Sequence, residues 1–122
     1  MDLNLKTETF GQDNQDWLAT AEGTDRARTI TLDLSTFVAG DYADGYLKSG
    51  WTLRKLASGL YGKRSNADTE AIAGHLLTAV RVPAGVTKVA GALLWHGAVI
   101  TAKVPNPPDA AGQATAKAVS YF

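Results

Sequence analysis

Turn-forming pairs interrupt the middle of this chain every few residues: Gly40-Asp41, Asp44-Gly45 and Ser49-Gly50 follow one another closely, and Ser58-Gly59 and Gly62-Lys63 continue the series. Glycine supplies positive φ, while Asp and Ser close tight turns through their side chains, so this spacing leaves room only for short strands. Tyr46-Leu47-Lys48 and Trp51 to Leu56 are the strand candidates between the turns. Ser58 to Lys63 reads as a turn, a brief apolar pair and another turn, and Ser65 to Thr69 as a polar loop.

The flanks agree with that restriction. Ile30, Leu32 and Leu34 alternate with Thr29, Thr31 and Asp33, the period of a half-buried strand. Ala71 to Val82 is ambiguous at its start, but His75 to Val82 alternates and ends at Pro83, which predicts a strand. Thr87 to Val104 is rich in valine and isoleucine and punctuated by Gly91 and Gly97, which predicts two strands or one bent strand with both faces covered, Trp95 in the core. After Pro105-Asn106-Pro107-Pro108-Asp109 an alanine-rich helix is expected to about Lys117, capped by Asn106 or Asp109. The apolar end, Ala118 to Phe122, is expected as a last strand tied into a sheet. The sum is a mainly β domain, a small barrel or clip of short strands with one short C-terminal helix.

With 122 residues, 45% of them hydrophobic and 20% charged, the chain carries one domain's worth of core. Its 12 basic and 12 acidic residues cancel, which argues against a general nucleic-acid binder, since neutralising phosphates takes an excess of Lys and Arg. The cancellation hides a split. Residues 1–28 hold six acidic side chains against Lys6, Arg26 and Arg28, a net of minus three, and residues 29–122 hold nine basic against six acidic, a net of plus three. The longest apolar run, Val89 to Ile100, is far short of the roughly 20 residues that span a bilayer. The first residues lack the basic and apolar regions of a secretory signal, so synthesis in the cytoplasm is expected.

Residues 1–28 have little hydrophobic periodicity and many amide and turn-forming side chains, so they are expected as an extended N-terminal arm ahead of a β-rich domain at 29–122. Phe10, Trp17 and Leu18 are large apolar residues within that polar stretch, and they must dock either on the chain's own core or on a partner.

The chain offers few motifs of chemistry. There is no cysteine, and His75 and His96 stand apart without a metal-ligand spacing, so no metal or cofactor is expected. Neither Gly-x-Ser-x-Gly nor Ser-x-x-Lys occurs, and Gly62-Lys63-Arg64-Ser65 lacks the upstream glycine of a phosphate loop; it reads as a turn with a solvated basic tip. Asp41 and Asp44, a conceivable carboxylate pair, sit next to glycine as turn-closing aspartates do. Trp51, Tyr42, Tyr46 and Tyr61 cluster in turn-rich sequence that a small domain has difficulty burying, which makes Tyr46, Trp51 and Tyr61 candidates for a subunit or ligand interface. A carbohydrate-binding surface with Trp51 as stacking platform is one alternative function.

Several phrases carry a wider resemblance: Thr29-Ile30-Thr31-Leu32-Asp33 into Phe37, Asp44-Gly45-Tyr46-Leu47-Lys48-Ser49-Gly50, Gly59-Leu60-Tyr61-Gly62, Ala90 to Val99, and Asp109-Ala110-Ala111-Gly112-Gln113-Ala114. Together with Leu5 to Gln12 and Asp16-Trp17-Leu18, and in this order over nearly the whole chain, they resemble the head decoration (capsid cement) proteins of tailed bacteriophages, most of all those of actinobacterial phages and more distantly the lambda head decoration protein.

That resemblance implies a β-clip-like domain with no enzyme activity, forming a homotrimer on the outer capsid surface of the virion at threefold and quasi-threefold positions. It implies the major capsid protein as partner, and an N-terminal arm that adds a strand to a capsid segment after the shell expands. Strand addition takes affinity from backbone hydrogen bonds and specificity from alternate side chains, here Thr7, Thr9, Phe10, Gly11, Trp17 and Leu18. No further immunoglobulin-like domain follows Phe122, so a minimal cement is expected.

Overall fold

The computed structural model describes residues 15–122. Nine short strands and one short α-helix order themselves as β1 (Arg28–Asp33), β2 (Tyr46–Leu47), β3 (Thr52–Lys55), β4 (Tyr61–Lys63), β5 (Gly74–Leu76), β6 (Val80–Arg81), β7 (Lys88–Leu94), β8 (Gly97–Val99), α1 (Ala110–Gln113) and β9 (Val119–Tyr121). The domain is mainly β.

Five strands close a barrel in the order β1-β4-β3-β5-β7, with β7 returning to β1. The longest seam joins β1 and β7 antiparallel from Arg28↔Leu93 to Asp33↔Lys88, and β1 and β4 meet in parallel at Leu32↔Tyr61. Closure removes the exposed edges that such short strands would otherwise present. The pair β2–β6 is antiparallel, and β8–β9 is a separate parallel pair.

Alternation along β1 sends Ile30 and Leu32 inward, where they meet Leu47, Trp51, Leu53, Leu76 and Leu93. Gly91 lies opposite Ile30 on β7, and a Cβ there would stand 3.0 Å from Leu76 Cδ1 and 3.3 Å from Leu32 Cδ1. The barrel interior is filled at that level by leucine rather than by residue 91. Successive residues of a strand face opposite ways: Leu93 points into the barrel core, while Leu94 joins a second cluster with Trp17, Leu77, Val99 and Val104. Both faces are therefore covered where β7 ends.

Several expectations are corrected. Tyr61–Lys63 is barrel strand β4, because its backbone pairs with both β1 and β3; three residues suffice when neighbours supply hydrogen bonds on both sides. His75 to Val82 is two strands, with Leu77 turned toward the second cluster and its N–H donating to Ala92 O at 2.8 Å. The helix ends at Gln113 rather than near Lys117: after Ala114 the i→i−4 bonds give way to Thr115 N–H to Gly112 O and Ala116 N–H to Gln113 O. The Thr115 hydroxyl also donates to Gly112 O at 2.6 Å and accepts from Ile72 N–H at 3.0 Å, tying the chain to the barrel where the helix would continue. Asp109 is the N-cap, accepting from Gly112 N–H at 2.8 Å. Trp95 is not core; it is 36% exposed, with its Nε1 donating to Arg26 O.

Candidate functional site: the anchored N-terminal segment

The expected arm and the domain are not separate through residue 28. Trp17 is only 1% exposed, its indole Nε1 donates to Ser49 Oγ at 2.9 Å, and its ring lies 5.9 Å from that of His75. Gly50 makes the seat: its φ is +100°, and a Cβ would stand 3.0 Å from Trp17 Cδ1 and 3.2 Å from Pro105 Cδ. Burying an indole of this size contributes on the order of 5 kcal/mol of transfer free energy. That gain explains why a polar segment without its own periodicity is held to the domain from Gln15 onward.

Backbone pairing extends the anchor. Ala19 N–H donates to Ala98 O at 3.1 Å and Ile100 N–H to Trp17 O at 2.6 Å, with Leu18 bridged antiparallel to Val99. On the other side of β8, Gly97 N–H donates to Ala118 O and Phe122 N–H to Val99 O. Strand β8 is thus flanked by the N-terminal segment and by β9, and both ends of the described chain converge on it. Gln15 is fastened as well, its Nε2 donating to Leu77 O at 2.6 Å beside a groove of about 510 Å³ that Leu18 and Ala21 also line. Further along, Gly23 (φ +85°) packs so closely on His96 O that any Cβ would overlap it.

Beneath this sheet a buried polar joint connects the three parts. His75 of β5 is fully buried, with Nδ1 3.0 Å from Gly50 O and Nε2 2.7 Å from the Tyr121 hydroxyl. A carbonyl can only accept, so Nδ1 carries the proton and Nε2 accepts from Tyr121. Burial pushes the imidazole down to about 4, against a partly opposing contribution from Gly50 O. Burial likewise raises the Tyr121 hydroxyl above its ordinary range, with Arg64 opposing.

The sequence motifs are distributed differently from expectation. Trp17 and Leu18 face the domain itself, whereas Thr7, Thr9, Phe10 and Gly11 lie outside the described residues. Trp51 is buried at 7% exposure, edge-on to Phe37 at 5.5 Å and with Lys63 Nζ 5.2 Å from its ring centroid, so it presents no open stacking platform. Tyr46 is half-buried on β2 and Tyr61 half-buried on β4, in different sheets. Asp41 accepts from Val38 N–H and Lys63 Nζ, and Asp44 accepts from Tyr46 N–H; both close turns.

Two structural residues escaped the sequence reading. Arg64, expected at a solvated tip, is 5% exposed, and its guanidinium donates to Glu70 O at 2.7 Å and Asp68 O at 3.3 Å. Asn106, a candidate helix cap, instead substitutes for a strand: its amide accepts from Thr52 N–H and donates to Thr52 O and Arg64 O. The prolines around Asn106 marked an irregular segment, but nothing local named its distant partners.

Among the described residues no group of three His, Cys, Asp or Glu is placed to hold a metal ion, and no helix is long and apolar enough to cross a membrane. The chain matches no family model, no curated protein and no solved structure.

Proposed function

We propose that this protein is a structural capsid-decoration protein, with a β-clip-like body that trimerises on the outer surface of an expanded phage head and an N-terminal segment that binds the major capsid protein. The observation that carries this reading is the anchor: Trp17, Leu18 and Ala19 are paired along β8, which fixes the N-terminal end of the described chain beside a sheet. Residues 1–14, if extended, reach about 46 Å at roughly 3.3 Å each, enough to cross onto a neighbouring subunit. The phrase-by-phrase likeness to head decoration proteins and the small closed barrel of short strands support the same reading.

The mechanism follows from valence. One short segment that becomes ordered on binding gains little net affinity, but three on one trimer make the second and third contacts intramolecular and raise avidity by roughly 10² to 10⁴. The net charge of minus three on residues 1–28 favours approach to a basic stripe of the shell over the packaged nucleic acid. No catalytic step is assigned to the protein.

The test is co-sedimentation with undecorated expanded heads. The full chain is expected to pellet with heads, less so as salt rises, while a variant lacking residues 1–14, which keeps the Trp17 anchor, stays in the supernatant. Failure of the full chain to bind, or equal binding by the truncated one, overturns the proposal. Light scattering on the free protein checks the trimer.

A further inference from the structure

We propose that His75 is an acid-released latch that holds both chain ends, the Gln15–Thr20 segment and strand β9, on the barrel. It does not rest on the capsid reading and concerns the protein alone.

The geometry makes His75 the shared contact. Its ring meets Trp17 at 5.9 Å and Tyr121 at 5.5 Å, and the carbonyl it bonds, Gly50 O, belongs to the residue on which Trp17 sits. The hydrogen-bond chain has one polarity. Nδ1–H donates to a carbonyl, so Nε2 must accept from the Tyr121 hydroxyl. A second proton on the ring turns Nε2 into a donor, and the Tyr121 hydroxyl, now an acceptor, has to redirect its own proton inside a buried joint. The cation would also lie fully desolvated.

Among the described residues, the groups that face His75 offer it no counter-charge; its strand partners, Thr52 of β3 and Leu94 of β7, are uncharged. On β9 the titratable neighbour is Tyr121 itself, and the charge that acts on Tyr121 among the described residues is the Arg64 guanidinium, which is of the wrong sign. From the N-terminal segment the facing group is the uncharged Trp17, and from the turn before β3 it is the Gly50 carbonyl. Asp16 pairs with Lys103 at 3.6 Å on the surface, with both side chains about half exposed. Among the described residues it is a second titratable contact between the N-terminal segment and the body, as is His96, on which Gly23 packs.

Opening the two ends lets water reach the ring, whose ordinary value is 6.5 against about 4 when closed. The opening equilibrium therefore gains protons, and linkage raises it on the order of 100-fold between pH 7 and pH 4. Barrel seams such as β1–β7 are expected to open only with the whole domain, and so less often than the ends at each pH.

Native-state hydrogen exchange on the full chain, corrected for intrinsic rates, reads this directly. The amides of Ala19, Ile100 and Phe122, whose bonds fasten the two ends, are expected to be less protected than those of β1 and β7, and to lose protection on the order of 100-fold from pH 7 to pH 4. End amides whose protection is independent of pH, or equal to that of the barrel at every pH, overturn the latch. His75→Gln, polar but not titratable, is expected to abolish the pH dependence while keeping Asp16 and Lys103. Retention of the full effect in that variant shows that His75 does not carry it and also overturns the proposal. The wild-type measurement stands by itself should the variant fail to fold.

Discussion

The Nε2 of His75 and the hydroxyl of Tyr121 lie 2.7 Å apart although 46 positions separate them. The first belongs to the closed barrel and the second to the outer β8–β9 pair. Their bond joins two sheets that share no backbone ladder, and it does so with a neutral imidazole in a fully buried site.

Acid should therefore destabilise the whole fold as well as its ends. The unfolded chain takes up a proton near pH 6.5, whereas folded His75 does so only near 4, so stability is complete above about 6.5 and falls as pH drops toward 4. The loss is about 3 kcal/mol over that interval. Asp33 and Asp68 are held below the ordinary carboxylate range, chiefly by hydrogen bonds from Ser35 and Ser65 respectively, so their contribution is lost only at lower pH still. Urea unfolding at pH 7 and pH 4.5 checks the first interval, and unchanged midpoints would refute it.

Replacing Trp17 separates its packing from its hydrogen bond. Trp17→Ala should cost about 3–5 kcal/mol by opening a cavity in the second cluster. Trp17→Phe keeps a ring and loses the bond to Ser49, for about 1 kcal/mol from that bond. Thermal unfolding of the pair decides; equal losses would mean that ring volume contributes nothing.

Asn106→Ala should cost about 2 kcal/mol, since it removes the bonds to Thr52 N–H and Arg64 O in a part-buried site, while Thr52 O keeps the bond from Arg64 N–H at 2.9 Å. Asn106→Asp should also destabilise, because a carboxylate accepts from Thr52 N–H but cannot donate to either carbonyl. Denaturant midpoints of both variants test this, and a neutral aspartate variant would show the donor bonds to be dispensable.

Gly74→Ala should be among the most damaging small substitutions in the barrel. Gly74 has φ +154°, and a Cβ there would overlap Leu94 O on β7 and stand 2.9 Å from Leu93 Cδ1. Backbone cannot yield as a side-chain tip can, so β5 must move off β7 at a cost of about 2–4 kcal/mol. A melting temperature within about 2 °C of the wild type would contradict the described seam.

By contrast, Lys63→Met should lower stability by no more than about 1 kcal/mol. The Lys63–Asp41 pair spans 2.9 Å, but both side chains are partly exposed, and such pairs return little over their hydration. A double-mutant cycle with Asp41→Asn measures the coupling; a value of several kcal/mol would place the pair among the main supports of the turn.

Local chemistry in the chain was enough to predict short strands, the alternating face of β1 and the terminal strand, because turn residues and period-two patterns act within a few positions; it left Thr87 to Val104 open between two strands and one bent strand, and the structure has two, β7 and β8. The roles of Asp41 and Asp44 were legible for the same reason, each side chain bonding backbone two or three residues away, whereas the choice of Asp109 over Asn106 as helix cap was left to the structure. The destinations of Trp17, Trp51, Arg64, His75 and Asn106 were not, since each depends on a partner brought close by barrel closure. An indole, a guanidinium or an imidazole has the same local pattern whether it faces solvent, a partner or a core. Only the fold, by setting Gly50 beneath Trp17 and Tyr121 against His75, decided that the polar N-terminal segment is part of the domain from residue 15 onward.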